Sequence, residues 1–292
     1  MKKILCICLI LGLCSSVQAE EIDAVGFLSR LQTTPEKFFM MMKNSWADQG
    51  WTIEGGDHTN STPKFYDSLV QMQMAMRIGE ISEMILPDFV ADYLMRVNKS
   101  YVRSCISSSG RMGLCFGFTE QNRELLDRWN YALSYLRNNW KLAELEKKYI
   151  KEFPRDDQYD YVYGIDQRRR DQKKRKDRIT FEKFPGAQTV KVAVTGDLPP
   201  ADFISEEGLP AGYSVAVLSE IGKILKVNIV TVSVEANART AALVSGRADV
   251  VFWYEVNKQS KLQPDVPKDV LLSEPYLEWD TFMHLQLNDQ EE

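Results

Sequence analysis

The chain of 292 residues carries 36 Lys and Arg against 41 Asp and Glu, a formal net charge of −5, with 44% hydrophobic residues. That length holds two domains of ordinary size, each able to bury a core, and the acidic balance argues against a nucleic-acid-binding role. Two histidines and five cysteines leave little for a metal site or a histidine-based catalytic group.

Lys2 and Lys3 precede an apolar run over residues 4–13, and Val17, Gln18 and Ala19 end it with small residues at the −3 and −1 positions. This is the pattern of a secretory leader with cleavage after Ala19. The run is too short to cross a hydrocarbon core of about 30 Å. Cys6, Cys8 and Cys14 leave with the leader, so Cys105 and Cys115 remain. An even pair after export predicts a disulfide across the Ser107-Ser-Ser-Gly110 stretch, worth about 3 kcal/mol on the loop-entropy argument. Two free buried thiols are the alternative.

Residues 24–28 read as a strand, and Thr33, Thr34 and Pro35 as a helix start. Phe38, Phe39, Met42 and Trp46 then follow a helical period, residues 51–53 a strand, and residues 55–57 a turn. Pro63 is expected to open a helix in which Phe65, Leu69, Met72 and Met76 form the core stripe and Gly79 the end. Residues 84–86 read as a strand and 89–97 as a helix. Leu125, Trp129, Leu133 and Leu136 mark another helix buried on one face.

Between Arg168 and Arg178, eight of eleven residues are basic. A run of one charge repels itself and reads as a solvated linker, with contact to anionic envelope surfaces as a lesser reading. Beyond it, residues 190–194 form a strand, 195–200 a turn, and 206–208 the tip of a hairpin. A helix over 213–225, a strand over 228–234, a helix over 236–244 and a buried strand over 249–254 complete the series. The alternation of strands and helices defines an α/β class with mostly parallel sheets flanked by helices.

Five local stretches carry a resemblance: Val190-Lys-Val-Ala-Val, Asp197-Leu-Pro-Pro, Gly212-Tyr-Ser-Val-Ala-Val-Leu, Leu243-Val-Ser-Gly-Arg-Ala-Asp-Val-Val, and Ser273-Glu-Pro-Tyr276. Together they resemble the extracellular solute-binding proteins of family 3, the amino-acid-type periplasmic receptors of ABC transporters. Residues 24–150 resemble the second lobe of the same family, through Tyr66-Asp-Ser-Leu, Leu86-Pro-Asp88, Phe116-Gly-Phe118 and the stretch from Leu142 to Ile150. The resemblance implies a two-lobed type II periplasmic-binding-protein-like fold with the lobes in circularly permuted order. The division expected is a leader at 1–19, a second-lobe-like domain at 20–155, a basic linker at 156–188, a first-lobe-like domain at 189–287, and a tail at 288–292.

The resemblance also implies a ligand-binding set. Thr33 and Thr34 match a threonine pair that receives a carboxylate at a helix N-terminus, although a plain N-cap accounts for them equally. Asp88 matches the carboxylate that holds the ligand ammonium, with an N-cap as its plainer role. Asp197, Phe203, Trp253, Tyr254 and Glu255 are the candidates from the other lobe, with Glu255 suited to a cation and the aromatics to a cleft wall.

Four departures stand against the family pattern. Ala201 follows the double proline where an aromatic is usual, Ala216 replaces an acidic residue of the lobe's first helix, Trp140 occupies a glycine position, and the stretch from Glu255 to Lys261 lacks the Thr-x-x-Arg clamp for a ligand carboxylate. The function expected is capture of a small polar solute in the periplasm for an ABC permease, with no cofactor, no metal, no nucleic acid and no enzymatic activity. An envelope sensor or scaffold, and a carboxylate-dependent dehydratase, are the alternatives. Exchange of lobes between two chains, or separate modules without a joint cleft, are the alternatives to permutation within one chain.

Overall fold

The structure is a computed structural model that describes residues 24–28, 62–152, 178–205, 207–257 and 267–288. Thr33, Thr34, the helix expected around Phe38 and the basic run up to Asp177 lie outside the described residues.

The N-terminal part opens with β1 (Ala24–Leu28), buried through Phe27, and β2 (Thr62–Tyr66), its parallel neighbour. Phe27 and Phe65 stack across the pair at 5.4 Å between ring centroids. The helix expected to open at Pro63 starts later. Residues 62–66 extend along β1, because an edge strand loses nothing essential when a proline lacks its N–H, and α1 (Leu69–Arg77) begins only after Ser68. The Ser68 hydroxyl accepts the Gln71 N–H at 3.2 Å and so satisfies one of the orphan donors of the first turn. Leu69, Met72, Ala75 and Met76 form the buried stripe. At the other end Gly79 adopts φ +71°, and the Gly79 and Glu80 N–H groups bond the carbonyls of Met76 and Ala75 at 3.1 and 2.8 Å. Only a residue tolerant of the left-handed region closes a helix this way.

Next come β3 (Glu83–Pro87), α2 (Asp88–Val97) and the 19-residue β4 (Tyr101–Thr119). Then α3 (Arg123–Asn138) and α4 (Lys141–Glu146) run into a π-helical turn at Lys147–Lys151. Leu125, Trp129, Leu133 and Leu136 are buried as their spacing requires, each worth about 1.5–3 kcal/mol against exposure. Trp140, between the helices, sits at φ 59° with 78% of its surface exposed.

The C-terminal part contains β5 (Thr189–Val194) and a small antiparallel sheet of β6 (Asp197–Leu198), β7 (Asp202–Ile204) and β8 (Pro210–Ala211). It continues through α5 (Tyr213–Leu225), β9 (Asn228–Ser233), α6 (Arg239–Val244), β10 (Val250–Asn257), β11 (Val270–Leu272) and β12 (Leu277–Leu287). Gly212 holds φ +103° where α5 begins, and a Cβ there would lie 2.6 Å from the carbonyl oxygens of Pro200 and Ala201. Glycine is therefore what lets α5 close on the turn after β6.

The other nine described strands form one sheet in the order β2-β1-β3-β12-β4-β10-β5-β9, with β11 also on β4. It divides into two wings of identical plan. In the N-terminal wing, β1, β2, β3 and the first half of β4 stand in the order second, first, third, visitor, fourth, and the visitor is β12. In the C-terminal wing, β5, β9, β10 and β11 repeat that order, and the visitor is the second half of β4. β1 runs parallel to β2 and β3, and β5 parallel to β9 and β10, whereas the two long strands that cross between wings run antiparallel to each other. The result is the two-lobed α/β architecture expected.

The crossing changes two expectations. Ser107 and Ser108 do not form a loop but pair in register with Phe282 and Thr281 inside β4. Ten residues of extended strand span roughly 30 Å, whereas a disulfide needs Cα atoms within about 7 Å. Cys105 and Cys115 are accordingly free, buried thiols. Burial, with the nearby charge of Glu83, pushes the Cys105 thiol up to about 12. The division drawn at residues 155 and 189 also differs from the packing. α3 and α4 dock on α5 of the C-terminal wing, where Arg137 donates to the Pro275 carbonyl at 2.7 Å, and β12 belongs to the N-terminal wing.

Glu83 ties the visitor into place. One of its oxygens accepts from Ser104 Oγ of β4 at 2.8 Å and from Gln286 Nε2 of β12 at 2.6 Å, and the other meets His284 Nδ1 at 3.2 Å. Glu83 and His284 are both buried, so the carboxylate is held by partners from the two strands that cross.

Candidate ligand cleft between the wings

Open α/β sheets bind ligands outside the carboxyl ends of their strands, where the strand order reverses. In this chain the reversal lies between β1 and β3 in one wing and between β5 and β10 in the other. Asp88 follows β3 directly, residues 195–197 follow β5, and Glu255 lies toward the end of β10. Three of the expected site residues thus stand at the two switch points.

Asp88 occupies the first turn of α2, and its Oδ1 accepts the Phe89 N–H at 2.6 Å. Burial raises its pKa to about 6 against that hydrogen bond, and the charges of Asp92, Asp280 and Glu146 add to the rise. Asp280 lies in β12 where the strand passes from one wing to the other, and its neighbour Trp279 packs edge-on against Phe89 at 5.5 Å. The first turn of α2 is in this way anchored to the crossing strand.

In the C-terminal wing the turn after β5 is shaped by Asp202, which is fully buried. Its Oδ2 accepts from the Thr195 N–H, the Thr195 hydroxyl and the Gly196 N–H at 3.3, 3.2 and 3.0 Å. That cap positions Asp197, which pairs in β6 with Phe203 of β7. Asp197 and Phe203 are both partly buried.

Arg239, at the start of α6, is the functional candidate that the sequence reading missed. It is 3% exposed, and its guanidinium donates to the carbonyls of Ala236 and Phe252 at 3.0 and 3.4 Å. Burial pulls its pKa down, opposed by Tyr254, Asp197, Glu255 and Tyr276, the groups whose fields it feels. The guanidinium thus lies in the fields of two carboxylates of its own wing, Asp197 and Glu255. The signal in the sequence was faint, a single arginine opening a short helix of small apolar residues.

β10 is irregular between Val251 and Tyr254. The bulge turns Tyr254 to the same side as Val251, into a core cluster with Ala242 and Leu243, where its hydroxyl meets Thr240 Oγ1 at 2.9 Å. Tyr254 is 1% exposed, so it packs within the wing instead of forming a cleft wall, and burial raises its pKa. Phe252 is buried in the main core. The side chain of Trp253 lies outside the described residues. Glu255 comes next in the strand, 8% exposed and in register with Leu114 of β4.

Tyr276 closes this group from the stretch before β12. Its hydroxyl lies 3.2 Å from Ser214 Oγ, its carbonyl accepts from the Tyr213 hydroxyl at 2.6 Å, and its N–H bonds the Leu114 carbonyl at 2.8 Å. Full burial holds its pKa well above the ordinary value. Among the described residues, no group of three or more His, Cys, Asp or Glu could hold a metal ion. No helix among them is long and apolar enough to cross a membrane.

Residues 190–286, about a third of the chain, match the bacterial extracellular solute-binding proteins of family 3. No curated protein matches the chain in sequence. Among solved structures, the GluR0 ligand-binding core in complex with L-glutamate is similar at a TM-score of 0.41 and 9% identity, over 92% of this chain and 85% of that one. The ligand-binding component of an ABC-type import system from Staphylococcus aureus, with zinc bound, gives 0.40 and 10% over 90% and 65%. CbnR, a LysR family transcriptional regulator, gives 0.37 and 8% over 92% of this chain, which spans 64% of the regulator's length.

Proposed function

We propose that this protein is an extracytoplasmic solute-binding protein that encloses a small polar solute between its wings and hands it to an ABC permease. The observation that carries the reading is the pair of equivalent wings that exchange β4 and β12, each with a switch point in its strand order. A ligand that touches both wings favours the closed arrangement through its differential affinity, and the crossing strands serve as the hinge. In this reading the leader at residues 1–19 directs export, and one chain carries both lobes in permuted order. Binding without turnover is its activity.

The test is a thermal-shift and calorimetric screen of the purified protein across amino acids, opines, polyamines and short peptides. The reading expects at least one compound to raise the melting temperature with a concentration dependence that follows its Kd. A full panel that binds nowhere, at millimolar concentration and across pH 5 to 8, refutes it.

A further inference from the structure

We infer that the open edge of β9 pairs two copies of this chain into a dimer, strand against antiparallel strand about a two-fold axis through Thr231. β9 ends the sheet and pairs only with β5, running parallel to it with Asn228 opposite Thr189 and Ser233 opposite Val194. The Asn228 and Val234 N–H groups donate to the carbonyls of Gln188 and Val194 at 2.8 and 3.0 Å. Main-chain groups alternate in direction along a strand, so Asn228, Val230 and Val232 face β5, while Ile229, Thr231 and Ser233 turn their N–H and C=O groups outward. No described residue bonds those outward groups. A row of this kind is a template for another strand.

The two edges of the sheet are built differently. β2, at the far edge, carries Pro63 and Lys64, both of which discourage pairing. From Val227 to Val234 there is neither proline nor charge. A second copy complements this edge. With Thr231 opposite Thr231 of the partner subunit, Ile229 and the partner's Ser233 exchange main-chain hydrogen bonds, and Val230, 40% exposed, lies against the partner's Val232 in the closer, non-hydrogen-bonded pair. Lys226 and Glu235 bracket the strand, and both are exposed. Antiparallel pairing brings each Lys226 beside the partner's Glu235, whereas parallel pairing would set like charges together. The edge lies across β5 from the switch point between β5 and β10, so dimerisation and solute binding stand or fall separately.

Sedimentation velocity of the full chain across the micromolar range tests the pairing, with a species of twice the protomer mass expected to grow with concentration. Thr231→Pro deletes an outward N–H and leaves the bonds to β5 in place, so it is expected to leave a folded monomer. Should it not fold, Val230→Lys charges the same edge and is expected to weaken the dimer roughly tenfold or more. Thr231→Cys fixes the register: hydrogen-bonded antiparallel pairs hold their Cα atoms about 5.5 Å apart, within reach of a disulfide, so mild oxidation is expected to cross-link this variant and not Ser233→Cys, with the parent as background. A monomer at every concentration overturns the inference. So does a dimer that Thr231→Pro and Val230→Lys leave intact, since it would form through another surface, and so does a monomer that pairs this edge with an unrelated extended peptide.

Discussion

Asp88→Asn offers a quantitative check on the electrostatics of the cleft. The carboxyl is lifted from an ordinary value of 3.8 to about 6, chiefly because burial penalises its charge. At about 1.4 kcal/mol for each factor of ten, this difference is about 3 kcal/mol against the ionised form. Because the folded pKa lies above the unfolded one, the folded protein binds the proton more tightly. The penalty is therefore absent below about pH 4, grows as pH rises from about 4 to 6, and is complete above that. Partial exposure of the group to water reduces it, to about 2 kcal/mol. Asparagine keeps the oxygen that accepts the Phe89 N–H and removes the charge. The empty variant is thus expected to be about 2 kcal/mol more stable than the parent at pH 7.5 and equal to it near pH 4, as read by urea denaturation. Equal stability at pH 7.5, or a gain of the same size at both pH values, refutes the reasoning.

Other substitutions probe the fold. Trp140→Gly relieves a bulky residue held at φ 59°, so it is expected to raise stability by about 1 kcal/mol in urea denaturation, and a loss would show that the indole has contacts worth more than the strain. Glu83→Ala leaves His284, Ser104 and Gln286 without their shared acceptor. A loss of about 3 kcal/mol is expected, and a loss under 1 kcal/mol would mean that Glu83 does not hold β12. Reduction with dithiothreitol is expected to leave the melting temperature unchanged, and Cys105 to resist alkylation until the protein unfolds; a drop of several degrees on reduction would restore the disulfide.

Local pattern explains most of what could be read before the structure. The strands at 190–194 and 228–233 and the helices at 123–138 and 213–225 follow from apolar spacing within a single element. β2 was hidden because Phe65 happens to fall on the helical spacing of Leu69, Met72 and Met76, and only its pairing with β1 decides otherwise. The crossing strands were invisible for a related reason: β4 finds its partners more than 130 residues away. A polar Ser107-Ser-Ser-Gly110 stretch looks like a turn until β12 lies beside it. Asp88, Asp197 and Glu255 were legible as carboxylates next to strand ends. Arg239 and Asp202 were not, since their roles depend on burial and on the groups that surround them. The bulge in β10 likewise removes Tyr254 from the cleft through a one-residue irregularity that strict alternation does not reveal.

Closure around a solute is the central claim, and a crystal structure of the protein grown with the tightest-binding compound of the screen tests it most directly. The account predicts that compound between the wings, in contact with Asp88 from one and with Glu255 or Asp197 from the other. A compound seated on an outer face, or held by one wing alone with the crevice open, would contradict it.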